Sequence, residues 1–265
     1  MSQFLKTIRA LVIDADGVLW RGNHGLPGVA EFFDFLRVHQ IKFVIATNNS
    51  AHPASDVVDR LARLGAKINE SNVLTSAQAT ALYLPRIAPT ATRVHVLGGR
   101  GLSDALTKAG YNVVQQNADV VAVGIDVDLT YQKLKVASRE IMRGAKFIGT
   151  NADKTFPAAD GIVPGAGAIL AALETVTGVV PIVVGKPERI MFDLAIDKMN
   201  AVREDAATLG DRLETDILGG QRAGLKSILV MSGVTTPAIL TQSSIRPDAV
   251  FDDLIALRAD WQRAY

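Results

Sequence analysis

The stretch LVIDADGVLW, Leu11 to Trp20, decides how the rest of the chain is read. Apolar residues run unbroken into two carboxylates, Asp14 and Asp16, which a single alanine separates, and Gly17 follows as a turn residue. A short apolar run rich in β-branched residues and closed by a glycine predicts a buried strand that ends at Asp14. Two like charges that close repel each other unless something positive lies between them. The stretch therefore asks for a cation.

The pattern repeats outward from there. RALVI before Asp14 is followed by a helical pattern over 29–39, then KFVIA before Thr47, then a helical pattern over about 53–64. That βαβα rhythm predicts an α/β fold with a doubly wound parallel sheet, which binds ligands beyond the carboxyl ends of its strands. From about residue 79 the rhythm restarts. RVHVL, DVVAVGI and KFIGT read as strands and 103–109, 131–143 and 166–177 as helices, so the middle of the chain can bury a core of its own. After PIVVG the first pattern resumes with a helix over about 187–199, the strand AATLG, a helix over 215–223, the strand SILVM and a final DAVFDDL. The expected organisation is a discontinuous core domain, 1–78 and 182–265, closing around an inserted α/β domain, 79–181.

Bulk properties exclude several classes of function. The 265 residues are 48% hydrophobic and 21% charged with a formal net charge of +1, so no basic footprint for nucleic acid is expected. The absence of cysteine removes disulfides, thiol nucleophiles and thiolate metal sites, and it fits a reducing compartment such as the cytoplasm. No cleaved signal peptide and no membrane contact are expected. The most apolar window, 165–185, is interrupted by Glu174, two threonines and Pro181, and it reads as a buried helix followed by a strand.

Four polar clusters sit just beyond predicted strands or at loop-to-helix junctions. They are Asp14 with Asp16, TNNS from Thr47, VGKP with Lys186, and GDRLETD with Asp211 and Asp216. A doubly wound sheet collects such loops along one edge. In that order, DADGVL, TNN, GKP and GDRLETD resemble the four signature motifs of the haloacid dehalogenase superfamily of aspartyl-phosphate hydrolases. The chain is more closely similar to the NagD-like, para-nitrophenyl phosphatase branch, subclass IIA. GTNADKTFPAADGIVPGAGAI in the insert resembles that branch's cap, and the resemblance covers essentially the whole chain.

The resemblance implies a core with an inserted cap and a Mg²⁺-dependent phosphatase acting on small-molecule phosphate monoesters. Matched to the first motif, Asp14 would be the nucleophile and a metal ligand. Asp16 would offer its backbone carbonyl to the metal and its side chain as general acid and then base. Asp211 would bind the metal, with Asp216 orienting its neighbours, while Thr47, Asn48 and Lys186 would hold the phosphoryl oxygens. The family's first motif usually carries a larger apolar residue where Ala15 stands. It also implies cap-to-cap homodimers and substrates such as nucleoside monophosphates, phosphoglycolate, pyridoxal phosphate or small sugar phosphates.

Elementary chemistry asks for the same parts. A phosphate monoester is anionic and hydrolyses extremely slowly unaided, so a catalyst must neutralise charge and present a nucleophile in line with the leaving oxygen. A carboxylate would be repelled by the ester, and a hard cation such as Mg²⁺, which prefers oxygen ligands, can bridge the two.

Each cluster taken singly has a plainer reading. Asp14 and Asp16 could be a solvated turn, Thr47 a helix N-cap, Lys186 a surface lysine, and Asp211 with Asp216 a loop and a helix-start charge. An EF-hand loop fails because Val18 and Leu19 stand where an oxygen ligand and a glycine are needed. VLGGRGLSDA, 96–105, has Asp104 in place of the last glycine of a dinucleotide loop and reads as a strand-to-helix turn. His24, His39, His52 and His95 lack ligand spacing, although His24 lies in the WRGNHGLPG flap beside the first motif. Ser50 and Ser232 lack a nucleophile-elbow context. Asn151 and Asp153 in the insert read equally as substrate contacts and as ordinary loop residues.

Competing activities make different demands. A phosphotransferase or mutase would pass the same aspartyl-phosphate to another hydroxyl, and labelled-oxygen water separates it from a hydrolase. A non-catalytic phospho-ligand-binding protein on this scaffold would have lost motif residues, and none is lost. A carbon–halogen hydrolase needs neither Asp16 nor Asp211. A receiver-type signalling domain carries its phosphoacceptor after a later strand and has no room for an insert.

Overall fold

The computed structural model describes residues 2–158 and 161–265. These divide into two compact units, one of Met1–Thr47, Ser55–Leu74 and Met191–Tyr265, the other of Asn48–Ala54 and Thr75–Ile190. Residues 159 and 160, within the cap-like stretch singled out in the sequence, lie outside the described residues.

The first unit is built on a six-stranded sheet. Its spatial order is Ala249–Phe251, Lys226–Val230, Ala206–Gly210, Ala10–Ile13, Lys42–Thr47 and Val73–Thr75. Ala10–Ile13 is parallel to both of its neighbours, and all four of its residues are at most 1% exposed. A strand hidden on both faces needs no polar alternation, which is why ALVI reads as a continuous apolar run. Chain order reverses between Ala10–Ile13 and Ala206–Gly210. Such a reversal opens a crevice at the carboxyl edge.

Helix Val29–Val38 shows how this sheet is covered. It starts after Gly28, whose φ of 80° turns the chain, and buries Val29, Phe32, Phe33 and Leu36, the spacing of one helical face. Phe33 meets Phe43 of the adjoining strand at 5.0 Å between ring centroids. Phe35 meets the fully buried Trp261 of helix Leu254–Gln262 at 5.6 Å. Each such side chain contributes about 1.5–3 kcal/mol when fully buried.

The second unit has its own five-stranded parallel sheet, in the order Ile182–Val183, Lys146–Gly149, Val120–Val123, Arg93–Leu97 and Asn112–Val113. Helices Tyr131–Met142 and Ala166–Thr177 pack on it through Ile141, Ile169, Leu170 and Leu173, against Leu97, Val121 and Phe147. Two details differ from the sequence reading. Ile182–Val183, expected within the 182–265 part of the core domain, pairs with Lys146–Gly149 of this second sheet. The 166–177 helix, read as buried, hides one face only, and its Glu174 and Val176 face solvent. Its small residues raise its mean hydropathy without giving it two apolar faces. Among the described residues no helix is long and apolar enough to cross a membrane.

A buried ionisable pair sits in this unit. Glu140 is 2% exposed and accepts from the backbone N–H groups of Asn117 and Ala118 at 3.1 and 3.0 Å, which ties down the turn before Val120–Val123. Burial pushes the His95 imidazole below its ordinary 6.5, against the Val114 carbonyl and the charge of Glu140, which push it up. A histidine whose folded-state pKa is depressed contributes stability that is present above about pH 6.5 and is lost as the unfolded chain takes up the proton below it. Thermal melts from pH 8 to pH 5 should therefore fall more steeply for the wild type than for His95→Gln. Parallel curves would contradict that assignment.

Candidate active site

Register places the acidic residues. Ile13 pairs with Leu209 and the Asp14 N–H donates to the Leu209 carbonyl at 2.8 Å, so Asp14 and Asp211 emerge side by side at the carboxyl edge where chain order reverses. On the other flank Ile13 pairs with Ile45, and Thr47, 4% exposed, closes that strand at the same edge. Asp216 follows in a wide π turn, Leu213–Ile217, in which both its own N–H and that of Ile217 donate to the Arg212 carbonyl. Its Oδ2 accepts in return from the Arg212 N–H at 3.1 Å. Wide turns of this kind recur at functional sites because they re-aim one side chain without ending the helix.

The result is a cluster in which Asp14, Asp211 and Asp216 each offer one carboxylate oxygen, all within 4.8 Å of one another. Asp211 and Asp216 are 0% and 1% exposed. Like charges packed that closely, with little water, are tolerable when a cation joins them. The donor set is all oxygen, with no imidazole or thiolate, and suits a hard divalent cation.

Two glycines clamp Asp211. Gly17 has a φ of +84°, and a Cβ there would come within 2.3 Å of Asp211 Oδ2; a Cβ at Gly233 would come within 1.8 Å of the same atom. The loop carrying Gly233 also grips it, since the Val234 N–H donates to Oδ2 at 2.6 Å, the Thr235 N–H donates to the Asp211 carbonyl at 3.2 Å, and the Ser232 hydroxyl donates to the Gly17 carbonyl at 2.7 Å. Gly17→Ala should cost about 1 kcal/mol of backbone strain and, by displacing Asp211, should weaken divalent-cation affinity about 10- to 100-fold. Calorimetric titration of the variant reads this directly, and an unchanged affinity would refute the clamp.

Within the second unit a polar network surrounds Asn48. Its side-chain carbonyl accepts from the Lys186 N–H at 2.9 Å, and its amide nitrogen donates to the Lys186 carbonyl at 2.9 Å and to Asp153 Oδ2 at 2.8 Å. Asp153 Oδ2 accepts a further bond from the Asn151 amide at 2.8 Å. Asn48 is thus bound on both sides to the Lys186 backbone. Lys186 itself is 3% exposed, unlike an ordinary surface lysine.

Residues 11–112 match the family described as haloacid dehalogenase-like hydrolase, and residues 183–257 match the HAD-hydrolase-like family. An acid sugar phosphatase of Staphylococcus haemolyticus is 39% identical over 251 residues, covering 94% of this chain and 95% of that protein. The chain belongs to the haloacid dehalogenase-like hydrolases. Solved structures place it in their NagD-like, para-nitrophenyl phosphatase branch. A 4-nitrophenylphosphatase from Thermotoga maritima has a TM-score of 0.93 at 35% identity, over 98% of this chain and 99% of that one. NagD from E. coli K-12 has a TM-score of 0.87 at 34% identity, over 93% and 97%. By class the chain is a phosphatase, a hydrolase of phosphoric monoesters.

In this HAD phosphatase the structure gathers three of the acidic residues singled out in the sequence, Asp14, Asp211 and Asp216, into one cluster. Asp216 lies within it rather than behind it. The Asp16 carboxylate is outside the cluster and bonded elsewhere, to the Trp20 indole. Thr47 ends its strand at the same edge, whereas Asn48 and Lys186 belong to the second unit. Sequence reasoning missed the 232–235 loop. Its signal is Ser232-Gly233 directly after the strand SILVM, at the carboxyl edge.

Proposed function

We propose that this HAD phosphatase hydrolyses small-molecule phosphate monoesters with magnesium as cofactor, through a covalent aspartyl-phosphate on Asp14. The observation that carries the proposal is the trio of carboxylates at the crevice edge, each with an oxygen within 4.8 Å of the others. The Asp14 carboxylate, the Asp16 backbone carbonyl and Asp211 would hold the ion, with Asp216 steadying the set. Bound there, magnesium would offset the repulsion between these carboxylates and the anionic ester and stabilise charge on the phosphoryl oxygens.

The chain's own groups do the rest. A carboxylate oxygen of Asp14 attacks phosphorus while the ester P–O bond breaks, and the Asp16 carboxyl gives its proton to the leaving alcohol oxygen. Asp16, now ionised, takes a proton from a water molecule, which attacks the same phosphorus and releases Asp14 and inorganic phosphate. The Thr47 hydroxyl and the Lys186 ammonium hold phosphoryl oxygens where negative charge gathers. Asn48 fixes the Lys186 backbone.

A panel of phosphate esters, including sugar phosphates and para-nitrophenyl phosphate, assayed with Mg²⁺ and with chelator, tests the proposal. Hydrolysis that depends on Mg²⁺ supports it, and equal rates with chelator defeat it. The reading also carries a cytoplasmic location and a homodimer formed through the second unit, for which the solution mass at micromolar concentration is the check.

A further inference from the structure

Asp16 is exposed, a poor setting for a carboxyl that must present one oxygen in one direction. The local fold supplies what solvent cannot. The Gly17 N–H donates to the Trp20 carbonyl at 2.7 Å and the Leu19 N–H donates to the Ala15 carbonyl at 2.9 Å, so residues 15–20 close one tight turn on the positive φ of Gly17. That turn carries the Trp20 indole back beside Asp16, where Nε1–H donates to Oδ1 at 2.9 Å. Among the described residues no hydrogen bond reaches Oδ2 of Asp16.

The indole is itself held. Trp20 is 4% exposed, and Arg60 of helix Ala54–Arg63 lies over its ring, with the guanidinium carbon 4.2 Å from the centroid. The same guanidinium donates to the Gly22 carbonyl, past the turn, so one cation pins both the face of the ring and the strand that carries it. Partial burial draws the Arg60 pKa down while the nearby Asp16 charge pushes it up, and a guanidinium stays charged at any working pH.

We propose that Trp20 is a positioning residue for the acid–base step, its indole N–H fixing Asp16 Oδ1 so that Oδ2 is the oxygen that gives and takes the proton, with Arg60 locking the indole in place. An indole nitrogen can only donate. Its partner oxygen Oδ1 is engaged as an acceptor, which leaves Oδ2 for the proton transfer. The role rests on the proposed general acid and base function of Asp16, and it goes beyond stapling the turn: a staple affects every substrate alike, whereas a misdirected acid hurts the substrates that need a proton most.

Trp20→Phe keeps an aromatic face for Arg60 and removes the donor along with part of the ring system. For an alkyl phosphate such as glycerol phosphate, whose alkoxide leaves poorly without a proton, kcat/KM should fall about 10- to 100-fold. For para-nitrophenyl phosphate, whose phenolate leaves readily, it should change less than about 3-fold. Equal losses on both esters, or none on either, would overturn the proposal. Arg60→Gln should show the same selectivity in weaker form, which keeps the test open if the first variant does not fold.

A second readout does not involve activity. The chain has two tryptophans, and the indole nitrogen of Trp261 has no acceptor among the described residues. In a ¹⁵N-labelled spectrum, Asp16→Ala should move the Trp20 indole proton upfield and leave that of Trp261 in place. No shift means no bond, and the proposal falls. If the wild type cleaves no ester at all, the phosphatase mechanism fails while the indole signal still reports the bond; if it is active but Trp20→Phe slows both esters alike, only the positioning role fails.

Discussion

Asp14→Asn should eliminate turnover, lowering kcat by about 10⁴-fold or more, because an amide would not accept the phosphoryl group as the proposed nucleophile does. The fold survives. The substitution leaves the backbone bond from Asp14 to Leu209 in place and alters no packed apolar group. It also removes one of three crowded negative charges, so without divalent cation the variant should melt no lower than the wild type, and higher if the repulsion is felt. Adding Mg²⁺ should then raise the melting temperature of the wild type more than that of the variant. Kinetics with two esters and paired melts with and without Mg²⁺ check both halves. Residual activity near the wild-type level would remove Asp14 from the mechanism, and a collapsed melt would make it a structural residue.

The second large effect belongs to Asp211. It is fully buried, gripped by Val234 and Thr235 and walled by Gly17 and Gly233, so it has no freedom to swing away and let another ligand take its place. Asp211→Asn should weaken Mg²⁺ binding about 100-fold, the upper end of what disturbing a ligand set does, and should lower kcat/KM at fixed Mg²⁺ to match. Saturating cation stabilises a folded chain by about 2.7 kcal/mol at one hundred times its dissociation constant. That gain should appear in wild-type melts and be largely lost in the variant. A Mg²⁺-induced shift of the same size in both proteins would place the ion elsewhere.

The parts of this protein that were legible in the sequence share a physical cause. ALVI, AATLG and the Val44–Ala46 part of KFVIA are buried, so their residues are almost all apolar, and the polar residues that follow stand at the strand ends. Local composition was enough to find both the sheet and its acidic edge. What stayed hidden depends on how the backbone turns after the strand. The π turn at Leu213–Ile217 carries Asp216 into the carboxylate cluster, and no period in GDRLETD distinguishes it from an ordinary helix start. Which way the Trp20 nitrogen faces follows from the turn on Gly17, which the sequence does not specify. Ile182–Val183 is two residues long, and its choice of partner strand rests on tertiary packing rather than on anything within PIVVG.

Lys186 illustrates the intermediate case. Its ordered place among four motifs marked it as functional, but only the structure shows that it is buried and that its backbone is clasped on both sides by the side chain of Asn48. Motif order gives the residue, and the fold gives its restraint.

The most direct measurement is mass spectrometry of the enzyme quenched in acid during turnover of a phosphate ester with Mg²⁺, followed by digestion and sequencing of the peptide that spans LVIDADGVLW. The account predicts one added phosphoryl group, located on Asp14, present in the wild type and absent after chelation. A phosphoryl group on any other residue, or turnover with no covalent adduct under conditions that preserve acyl phosphates, would contradict it.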